Sequence, residues 1–493
     1  MYLGIDLGTS ALKAVLLADD GRIVAQQSAP LDVSRPHPQW SEQSPADWWR
    51  ALTIALGELA RAQPQAMRAV RAIGLSGQMH GAVLLDAAGD VLRPAILWND
   101  GRSEPQCTDL AERVPRLAQI AGNLAMPGFT APKLLWVRDH QPQIFARVAK
   151  VLLPKDWLRF KLGGEFFTDC SDASGTLWLD VGARDWSDEL LAACDMTRAQ
   201  MPALVEGSAP AGHLRKDVAE RFGLDPGIVI AGGGGDNAAS AVGMGATAAG
   251  DGFVSLGTSG VIFLCSDRFL PAPESAVHAF CHALPGRWHQ MSVMLSAASA
   301  LRWVTQLTDR RDEAELLAEV EALDDRSLDQ APLFLPYLAG ERTPHNDAQA
   351  QGVLFGLTHE HGAAALGYAV IEGVSFGLLD GWQTLDETTR GLARSLDLVG
   401  GGARSAYWGR LLATLLDRPL TKRDGGEAGG ALGAARLAWL ADGGDIERVC
   451  AKQAVIESFQ PQPERRAVLM ARYARFRALY PLLRESFRPE SRD

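Results

Sequence analysis

The sequence predicts an α/β protein with two similar domains that hold a polyphosphate between them. Its 493 residues are too many for one hydrophobic core, so two or three domains are expected. Two strand–turn–strand segments, with turns at Gly8-Thr9 and Gly257-Thr258, lie about 250 residues apart. Glycine lets backbone N–H groups and hydroxyls approach an anion in such turns. Two of them, one domain apart, indicate duplicated halves that grip one polyphosphate.

Composition excludes several classes of partner. The chain is 47% apolar and 22% charged, with a net charge of −11. Nucleic acids and anionic membranes need a basic face, so neither is an expected partner, whereas a locally positive pocket can still hold a small anion. No run of about 18 uncharged apolar residues occurs, and the first 20 residues carry four charges, unlike a signal peptide. We expect a cytoplasmic protein with no membrane partner.

Cysteine usage agrees with a reducing compartment. The six cysteines are scattered, without a CxxC pair or a Cys/His cluster at metal-binding spacing. Free thiols are therefore expected at Cys107, Cys170, Cys194, Cys265, Cys281 and Cys450.

The first half is predicted to open with strands and to continue with helices. Strands are expected at residues 2–6, 13–17, 22–26, 70–76 and 227–231, and a hairpin at 84–91. A helix is expected from Pro45 to about Arg61, because proline and an acid suit the first helical turn. Most of 105–225 is interpreted as a helical insertion, and 238–245 as a small-residue helix suited to a hinge.

The second half is predicted to repeat the same plan. Strands are expected at 252–265, 288–294 and 396–399, and helices near 296–308, 363–385 and 406–416. The Gly/Ala-rich run 425–440 indicates the start of a closely packed helix. Because no residue-by-residue repeat is visible, the duplication is inferred from the order of the hairpins alone.

Asp6 is a candidate metal-site residue. It ends the first predicted strand, two residues before the turn glycine. A carboxylate beside a phosphate-binding turn suits hydrated Mg²⁺, which takes few protein ligands and many waters. The alternative is an aspartate that bonds N–H groups of its own turn. Thr9 and Ser10 offer hydroxyl donors, and Lys13 either offsets phosphate charge or simply faces water.

Asp236 is the most specific single candidate. Four glycines, residues 232–235, precede it at the end of an apolar strand, and a small-residue helix follows. Such a glycine run predicts that something packs closely against the turn. A carboxylate there can accept the proton of an attacking hydroxyl in phosphoryl transfer. The alternative is a helix N-cap.

Two polar loops are candidate sugar-binding segments. Residues 77–81 follow a buried strand, where α/β sheets carry ligands, and His80 is a candidate donor to a substrate hydroxyl or carbonyl. A surface histidine is the alternative. Trp98 opens the run 98–102, whose aromatic, amide and carboxylate groups suit a sugar; the alternative places Trp98 in the core.

The triple glycine at 400–402 is a candidate nucleotide loop. It follows an apolar strand and precedes a helix. No Lys-Ser or Lys-Thr follows as in a Walker A motif, and the dinucleotide fingerprint fails because Ser405 stands where it needs glycine. A Gly-x-Ser-x-Gly nucleophile elbow is absent around Ser76 and Ser259.

Taken with these residues, the chain resembles the FGGY carbohydrate kinases over essentially its full length. Residues 4–10 and 128–140 are similar to family patterns, and 352–372 is similar to the second family signature, with Ala365 at a usually polar position. The loops 76–81, 98–102 and 335–344 are similar to those of members that act on D-xylulose. Glycerol kinases instead have Arg-Glu in place of Met79-His80.

The resemblance implies a fold and an activity. The fold is two RNase H-like domains of the actin-like, sugar kinase and heat-shock ATPase superfamily, with ATP, Mg²⁺ and sugar in the cleft between them. Residues 1–243 would bind the sugar and carry the catalytic base, and residues 244–493 would bind the nucleotide. The implied acceptor is D-xylulose, with L-ribulose, L-xylulose, gluconate, a polyol or a non-catalytic sugar sensor as alternatives. Dimers occur in such kinases, so a homodimer is compatible with this resemblance.

The resemblance also implies residue roles. Asp236 is implied as general base and Asp6 as the organiser of Mg²⁺. The implied sugar contacts are Met79, His80, Asp236 and Asn237. Trp98 is a further candidate sugar contact, because its run of aromatic, amide and carboxylate groups suits a sugar. Thr9, Ser10 and Lys13 would lie near the transferred phosphate. Residues expected along the nucleotide are Gly257, Thr258, Gly401, Gly402 and Ser405, the last standing where the family often has asparagine.

Overall fold

Two mixed β-sheets organise the protein. The computed structural model describes residues 1–424 and 429–488, and each sheet has seven strands within these residues. The predicted run 425–440 therefore begins outside the described residues, at 425–428, and is helical from Gly429 onward.

The strands of the first half are β1 (Tyr2–Leu7), β2 (Ala11–Leu17), β3 (Ile23–Pro30), β4 (Glu42–Gln43), β5 (Ala72–Gly77), β6 (Val83–Leu85), β7 (Ala95–Ile96), β8 (Lys150–Leu152), β9 (Phe167–Asp169), β10 (Leu179–Asp180), β11 (Asp185–Trp186), β12 (Ala203–Val205), β13 (Pro210–His213), β14 (Val229–Ala231) and β15 (Gly234–Gly235). Those of the second half are β16 (Gly252–Leu256), β17 (Gly260–Ser266), β18 (His278–Cys281), β19 (Trp288–Met294), β20 (Leu333–Leu335), β21 (Val353–Phe355), β22 (Leu396–Val399), β23 (Leu420–Arg423) and β24 (Val455–Phe459).

The helices of the first half are α1 (Pro45–Ala62), α2 (Pro64–Arg68), α3 (Glu104–Arg113), α4 (Leu117–Ala121), α5 (Thr130–His140), α6 (Pro142–Phe145), α7 (Pro154–Gly163), α8 (Cys170–Ala173), α9 (Asp188–Ala192), α10 (Lys216–Phe222) and α11 (Asp236–Met244). Those of the second half are α12 (Ala298–Leu307), α13 (Glu313–Glu321), α14 (Asp325–Gln330), α15 (Ala363–Thr384), α16 (Glu387–Leu392), α17 (Ala406–Leu416), α18 (Gly429–Ala441), α19 (Ile446–Val449) and α20 (Pro463–Leu483).

The two sheets share one strand plan. In the first, β3, β2 and β1 are antiparallel neighbours, and β5 and β14 continue in parallel from β1. In the second, β19, β17 and β16 are antiparallel, and β22 and β23 continue in parallel. An antiparallel strand, β13 or β24, then pairs with the last parallel strand. The shared plan confirms the duplication predicted from the order of the hairpins.

Helices cover both faces of the first sheet, which is why β1 and β5 are apolar at most positions. Leu3 and Ile5 pack with Trp48 of α1 on one face. On the other face, Tyr2 packs with residues of α18. Strands buried on both faces need apolar residues at successive positions. A helix from the second half of the chain thus completes the core of the first sheet.

Small residues allow this helix to lie directly on the sheet. A Cβ atom on Gly74 of β5 would collide with the carbonyl oxygen of Ala434, and one on Gly433 would collide with the carbonyl oxygen of Ala239 in α11. Helix α18 therefore touches the sheet on one side and α11 on the other, backbone against backbone. The prediction of close packing in this run is confirmed for its described part.

Two sequence predictions change in detail. The 84–91 hairpin is reduced to a turn with one bridge, Leu85 to Val91, because β6 pairs instead with β8. The largely helical 105–225 region also contains the short strands β8 to β13. Both differences come from pairings between distant residues, which local turn signals do not reveal.

One helix, α15, is long and apolar enough to cross a membrane by length and composition. It is mostly buried inside the second half, where Glu372 pairs with Arg472 at 2.6 Å, so it is a core helix of the fold. The six cysteines are free and buried, as predicted for free thiols.

Candidate active site

Asp6 lies at the end of β1, directly across from Lys13 of β2. Burial raises the pKa of Asp6, and the charge of Lys13 opposes that rise. The Oδ1 atom is buried without a hydrogen-bond partner among the described residues. A Cβ on Gly430 of α18 would lie 2.8 Å from it, so glycine keeps this side of the carboxylate clear. An unsatisfied carboxylate oxygen beside the first Gly-Thr turn fits Mg²⁺ or one of its waters.

A cluster of three buried aspartates also has the spacing of a metal site, but a lysine accounts for this arrangement. Asp156, Asp169 and Asp172 are buried with oxygens close together. Lys155 Nζ lies 2.6 Å, 2.7 Å and 3.0 Å from their carboxylate oxygens. The ammonium group occupies the position that a cation would take.

Asp236 is the first residue of α11. The N-cap position belongs to Gly235, so the N-cap alternative is wrong. Its Oδ1 atom accepts hydrogen bonds from the Asn237 backbone N–H at 2.7 Å and from Asn237 Nδ2 at 3.0 Å. Burial and the nearby charge of Asp6 raise the pKa of Asp236 to about 6. The second oxygen, Oδ2, has no hydrogen bond among the described residues and is the one available to take a proton.

Close packing explains the glycine run before Asp236. Gly233 has φ of +80°, and a Cβ there would collide with the carbonyl oxygen of Leu75. A Cβ on Gly235 would lie 2.8 Å from Met79 Sδ. The predicted close approach is confirmed, and its partners are β5 and the Met79 side chain, which is only 6% exposed.

His80 is a neutral hydrogen-bond acceptor in this site. Its Nδ1 atom lies 2.7 Å from the carbonyl oxygen of Gly175, and because a carbonyl only accepts, Nδ1 carries the hydrogen. Burial lowers the pKa of His80 to about 3, so Nε2 keeps its lone pair. The predicted role as donor is therefore corrected: with Nδ1 carrying the hydrogen, Nε2 is available only as an acceptor.

Residues of the 128–140 stretch, which is similar to a family pattern, hold the His80 backbone through hydrogen bonds. Lys133 Nζ donates to the carbonyl oxygens of His80 at 2.8 Å and Gly128 at 2.7 Å. Thr130 Oγ1 also donates to the His80 carbonyl, at 3.1 Å. Burial lowers the pKa of Lys133 to about 7. Sequence reasoning recognised this stretch but assigned these side chains no role.

Trp98 stands beside the first Gly-Thr turn. Its Nε1–H donates to Thr9 Oγ1 at 3.0 Å, and the Thr9 hydroxyl donates to Gln78 Oε1 at 3.0 Å. Trp98 is 48% exposed, so the core alternative is wrong. The Thr9 hydroxyl hydrogen is already used within the protein, while the neighbouring Ser10 is exposed.

The charged members of the 98–102 run do not face a sugar. Asp100 and Arg102 are buried and pair at 2.7 Å, and the Arg102 guanidinium lies 3.6 Å from the ring centre of Trp40. The interpretation of this run as sugar-binding therefore narrows to the exposed Trp98 and Asn99.

The second Gly-Thr turn is joined to the start of α12. The Thr258 carbonyl accepts hydrogen bonds from Ala297 N–H at 2.9 Å and Ser299 Oγ at 2.7 Å, and the Gly257 carbonyl accepts one from Ala298 N–H at 2.9 Å. Thr258 itself is exposed.

The triple-glycine loop lines two cavities. One, of about 640 Å³, is lined by Leu301, Leu317, Gly402 and Ser405 together with Gly401. The other, of about 760 Å³, is lined by Gly401 and reaches Lys13 of the first half. Gly401 borders both cavities.

Ser405 has a structural task as well. Its Oγ atom accepts the Trp408 backbone N–H at 3.2 Å and caps α17, so its lone pairs are partly committed. Gly402 is closed in by the side chain of Leu256, whereas no atom lies within 4 Å of a Cβ built on Gly401. Of the predicted nucleotide residues, Gly401, Gly402 and Ser405 line the first cavity, whereas Gly257 and Thr258 line neither of the two cavities.

Comparison with known proteins identifies the family. Residues 1–243 match the N-terminal domain, and residues 252–441 the C-terminal domain, of the FGGY family of carbohydrate kinases. The chain belongs to this family. This FGGY kinase is 52% identical over 486 residues to the xylulose kinase of Escherichia coli strain K12. The aligned residues cover 98% of this chain and 99% of that relative.

This FGGY kinase is also similar to two further sugar kinases. It is 54% identical over 449 residues to the xylulose kinase of Klebsiella pneumoniae, 91% of each chain. The crystal structure of a xyloylose kinase from Brucella ovis superposes with a TM-score of 0.94 at 49% identity, covering 98% of this chain and 99% of that chain. The predictions of a two-domain α/β fold and of an ATP-dependent carbohydrate kinase are confirmed.

Proposed function

We propose that the protein transfers the γ-phosphoryl group of ATP to O5 of D-xylulose, with Asp236 as general base. The observation that carries this proposal is the Asp236 carboxylate, whose Oδ1 is held by Asn237 while its Oδ2 is open. Its pKa of about 6 keeps most of it ionised at neutral pH, yet close to the range that general-base catalysis favours. The relatives named xylulose kinase support the choice of sugar.

The substrate form follows from the chemistry of O5. In the furanose ring O5 is the ring oxygen and has no proton to give, so the reacting sugar is the open-chain ketose. His80 Nε2 accepts a hydrogen bond from a hydroxyl at the C1–C3 end, and the Trp98 face lies alongside. Asp236 Oδ2 takes the O5 proton as the bond from O5 to phosphorus forms and the bond from phosphorus to the ADP oxygen breaks.

The phosphate groups are placed by the two turns. Backbone N–H groups around Thr9 and Thr258 and the ammonium of Lys13 would offset phosphate charge. Asp6 would hold Mg²⁺ directly or through water, and the ion supplies neutralisation of phosphate oxygens when bound. The cavities that Gly401 borders suit the nucleotide. Closure of the cleft would exclude water and limit ATP hydrolysis.

We place the sugar site and base in residues 1–243 and the nucleotide site in residues 244–493. Helix α18 qualifies that division, because it belongs to the second half and lies under Asp6. A cytoplasmic location and a homodimeric state complete the proposal, and light scattering in solution tests the latter.

A substrate panel tests the proposed activity. ADP release is measured with D-xylulose, L-ribulose, L-xylulose, gluconate and xylitol at saturating ATP. We expect kcat/KM for D-xylulose to exceed each other value at least tenfold. A higher value for another compound would replace D-xylulose as the acceptor. No ADP release with any of them, from protein that binds D-xylulose, would favour a sensor without turnover.

A further inference from the structure

One short buried segment touches both ends of the proposed sugar site. It runs from Asp169 through helix α8 to the 3₁₀ turn at 174–176. Its side chains are buried throughout, at 3% exposure or less. The segment reaches the Asp236 side through Ser171 and the His80 side through Gly175. Neither residue was singled out by the sequence motifs.

Ser171 holds the strand that delivers the base. The Gly235 backbone N–H donates to Ser171 Oγ at 3.1 Å. The Ser171 hydroxyl in turn donates to Asp169 Oδ1, and Asp169 also accepts the Ser171 backbone N–H at 2.9 Å. Gly235, the residue immediately before Asp236, is therefore hydrogen-bonded to a side chain whose own hydrogen bond to Asp169 fixes its orientation.

Buried charges anchor this tie. Lys155 Nζ lies 2.7 Å from Asp169 and is also paired with Asp156 and Asp172. Burial raises the pKa of Asp172 well above its usual range, as do the neighbouring carboxylates. A paired buried network is rigid, because separating its members leaves uncompensated charge away from water.

The same network holds the start of the glycine run. Arg159 pairs with Asp156, and its Nη1 donates to the Gly232 carbonyl at 2.5 Å. The run from Gly232 to Gly235 is thus attached to the charge cluster near both of its ends.

Gly175 holds the sugar end. Its carbonyl accepts the His80 Nδ1–H at 2.7 Å. A Cβ atom on Gly175 would collide with that nitrogen, so only glycine admits the ring at this distance. Met79 fills the space between the two ends: its Cε would lie 3.0 Å from a Cβ on Gly175, and its Sδ 2.8 Å from one on Gly235.

We propose that Ser171 and Gly175 set the distance between Asp236 and His80 and thereby select the chain length of the ketose. The inference rests on the proposed function. In this proposal, a five-carbon open-chain ketose would place its C1–C3 hydroxyls at His80 with its terminal hydroxyl at Asp236. With one carbon more or fewer, one of the two contacts is misplaced. A displacement of about 1 Å at a reacting group costs on the order of 100-fold in rate. Ser171 and Gly175 are positioning residues, because they act through Asp236 and His80.

The test compares S171A, G175A and the wild type on ketoses of four, five and six carbons: erythrulose, D-xylulose and D-fructose. ADP release gives kcat and KM for each sugar and for ATP. We expect S171A to lower kcat for D-xylulose by about 10- to 100-fold, with little change in either KM. The preference for D-xylulose over D-fructose in kcat/KM should fall at least tenfold. G175A should instead raise the KM for D-xylulose at least tenfold and leave the KM for ATP unchanged.

S174A is the matched control. Ser174 is a buried serine three residues from Ser171; it donates to the Cys170 carbonyl at 2.7 Å and accepts the Cys281 N–H at 3.0 Å. Its side chain is hydrogen-bonded to Cys170 and Cys281 and to neither Gly235 nor His80, so the kcat and chain-length preference of S174A should match the wild type. Thermal melting shows that each variant is folded at the assay temperature. If S171A fails to fold, the KM effect of G175A alone decides.

The outcomes are separable. If the wild-type protein releases no ADP with D-xylulose, both the proposed function and this inference are overturned. Wild-type turnover of D-xylulose with S171A and S174A alike in kcat and in chain-length preference would overturn the inference alone. So would G175A with an unchanged KM for D-xylulose.

Discussion

The charge of Asp6 helps to raise the pKa of Asp236, although one carboxylate is next to last in β1 and the other begins α11. The first sheet brings them together because β15 and β1 both pair with β5 in parallel. Two carboxylates held this close favour a proton or a cation nearby. The metal and base assignments are therefore coupled, and a change at one residue should be measurable at the other.

Replacing Asp236 by asparagine should remove most turnover. The amide keeps the shape of the side chain but cannot accept the O5 proton, so kcat should fall by about 100-fold or more. The KM for D-xylulose should change little. Steady-state ADP release measures both constants. Retention of more than about a tenth of the wild-type kcat would be incompatible with a general-base role.

The pH profile should show an acid limb near the pKa of Asp236. Its pKa is raised to about 6, so the base is protonated and inactive below that pH and ionised above it. We expect kcat/KM for D-xylulose to fall as the pH drops through about 6. In D6N the limb should move to lower pH, because the neighbouring negative charge is gone. An unmoved limb in the residual activity of D6N would contradict the coupling.

Replacing His80 by leucine should weaken sugar binding. The variant loses the Nε2 acceptor, and one neutral hydrogen bond is worth about 1 kcal/mol, so the KM for D-xylulose should rise roughly fivefold to tenfold. The KM for ATP serves as the internal control. Because the pKa of His80 is about 3, this contribution should not vary between pH 6 and 8. A ratio of the KM of the leucine variant to that of the wild type that changes steeply over that range would argue against a neutral ring.

The buried histidines should contribute a loss of stability on mild acidification. Burial lowers the pKa of His278 and His289 well below the usual range and that of His282 to about 4. The unfolded chain takes up protons below about pH 6.5 while the folded chain does not, so stability is fullest above that pH and falls as the pH decreases. Each such histidine contributes up to about 1.4 kcal/mol per pH unit.

His289 is the residue with which to test this loss. Neither of its ring nitrogens has a partner among the described residues, and its ring stacks on Phe263 at 4.2 Å. H289F should therefore fold, and should lose less stability than the wild type between pH 6.5 and 5.5 in urea denaturation. Equal losses in the two proteins would show that His289 is not a source of the acid sensitivity.

The contact of α18 with α11 should not tolerate a methyl group. Gly433 has no room for a Cβ, so G433A should destabilise the protein by about 1–3 kcal/mol. Gly57 in α1 is the matched control, since nothing lies within 4 Å of a Cβ there. G57A should be neutral or stabilising by up to about 1 kcal/mol. Urea denaturation of both variants gives the comparison, and equal destabilisation would contradict the close contact.

The sequence was sufficient for features that depend on neighbouring residues. Helix α17 begins and ends where the pattern predicted, at 406 and 416, and the approach of other groups to the glycines before Asp236 followed from the glycines themselves. The residues that approach these glycines could not be predicted, because Met79 and Leu75 are distant from them along the chain.

Long-range contacts account for what sequence reasoning missed. The role of His80 as an acceptor depends on the Gly175 carbonyl, 95 residues away, and the support of Asp236 depends on Ser171, 64 residues away from Gly235. Neither pairing leaves a local pattern. Lys133 was noticed within a family signature, yet its task is defined only by the carbonyl groups it meets.

The backbone contacts of α18 with β5 and α11 bear on how the two halves can move. Side chains at an interface usually adopt new rotamers when the partners slide, but Gly74 and Gly433 have none to change. A movement that separated these backbones would expose apolar surface with nothing to fill the gap. The cleft should therefore open and close by rotation about an axis through these contacts, which keeps the joint closed while the distant rims of the two halves travel.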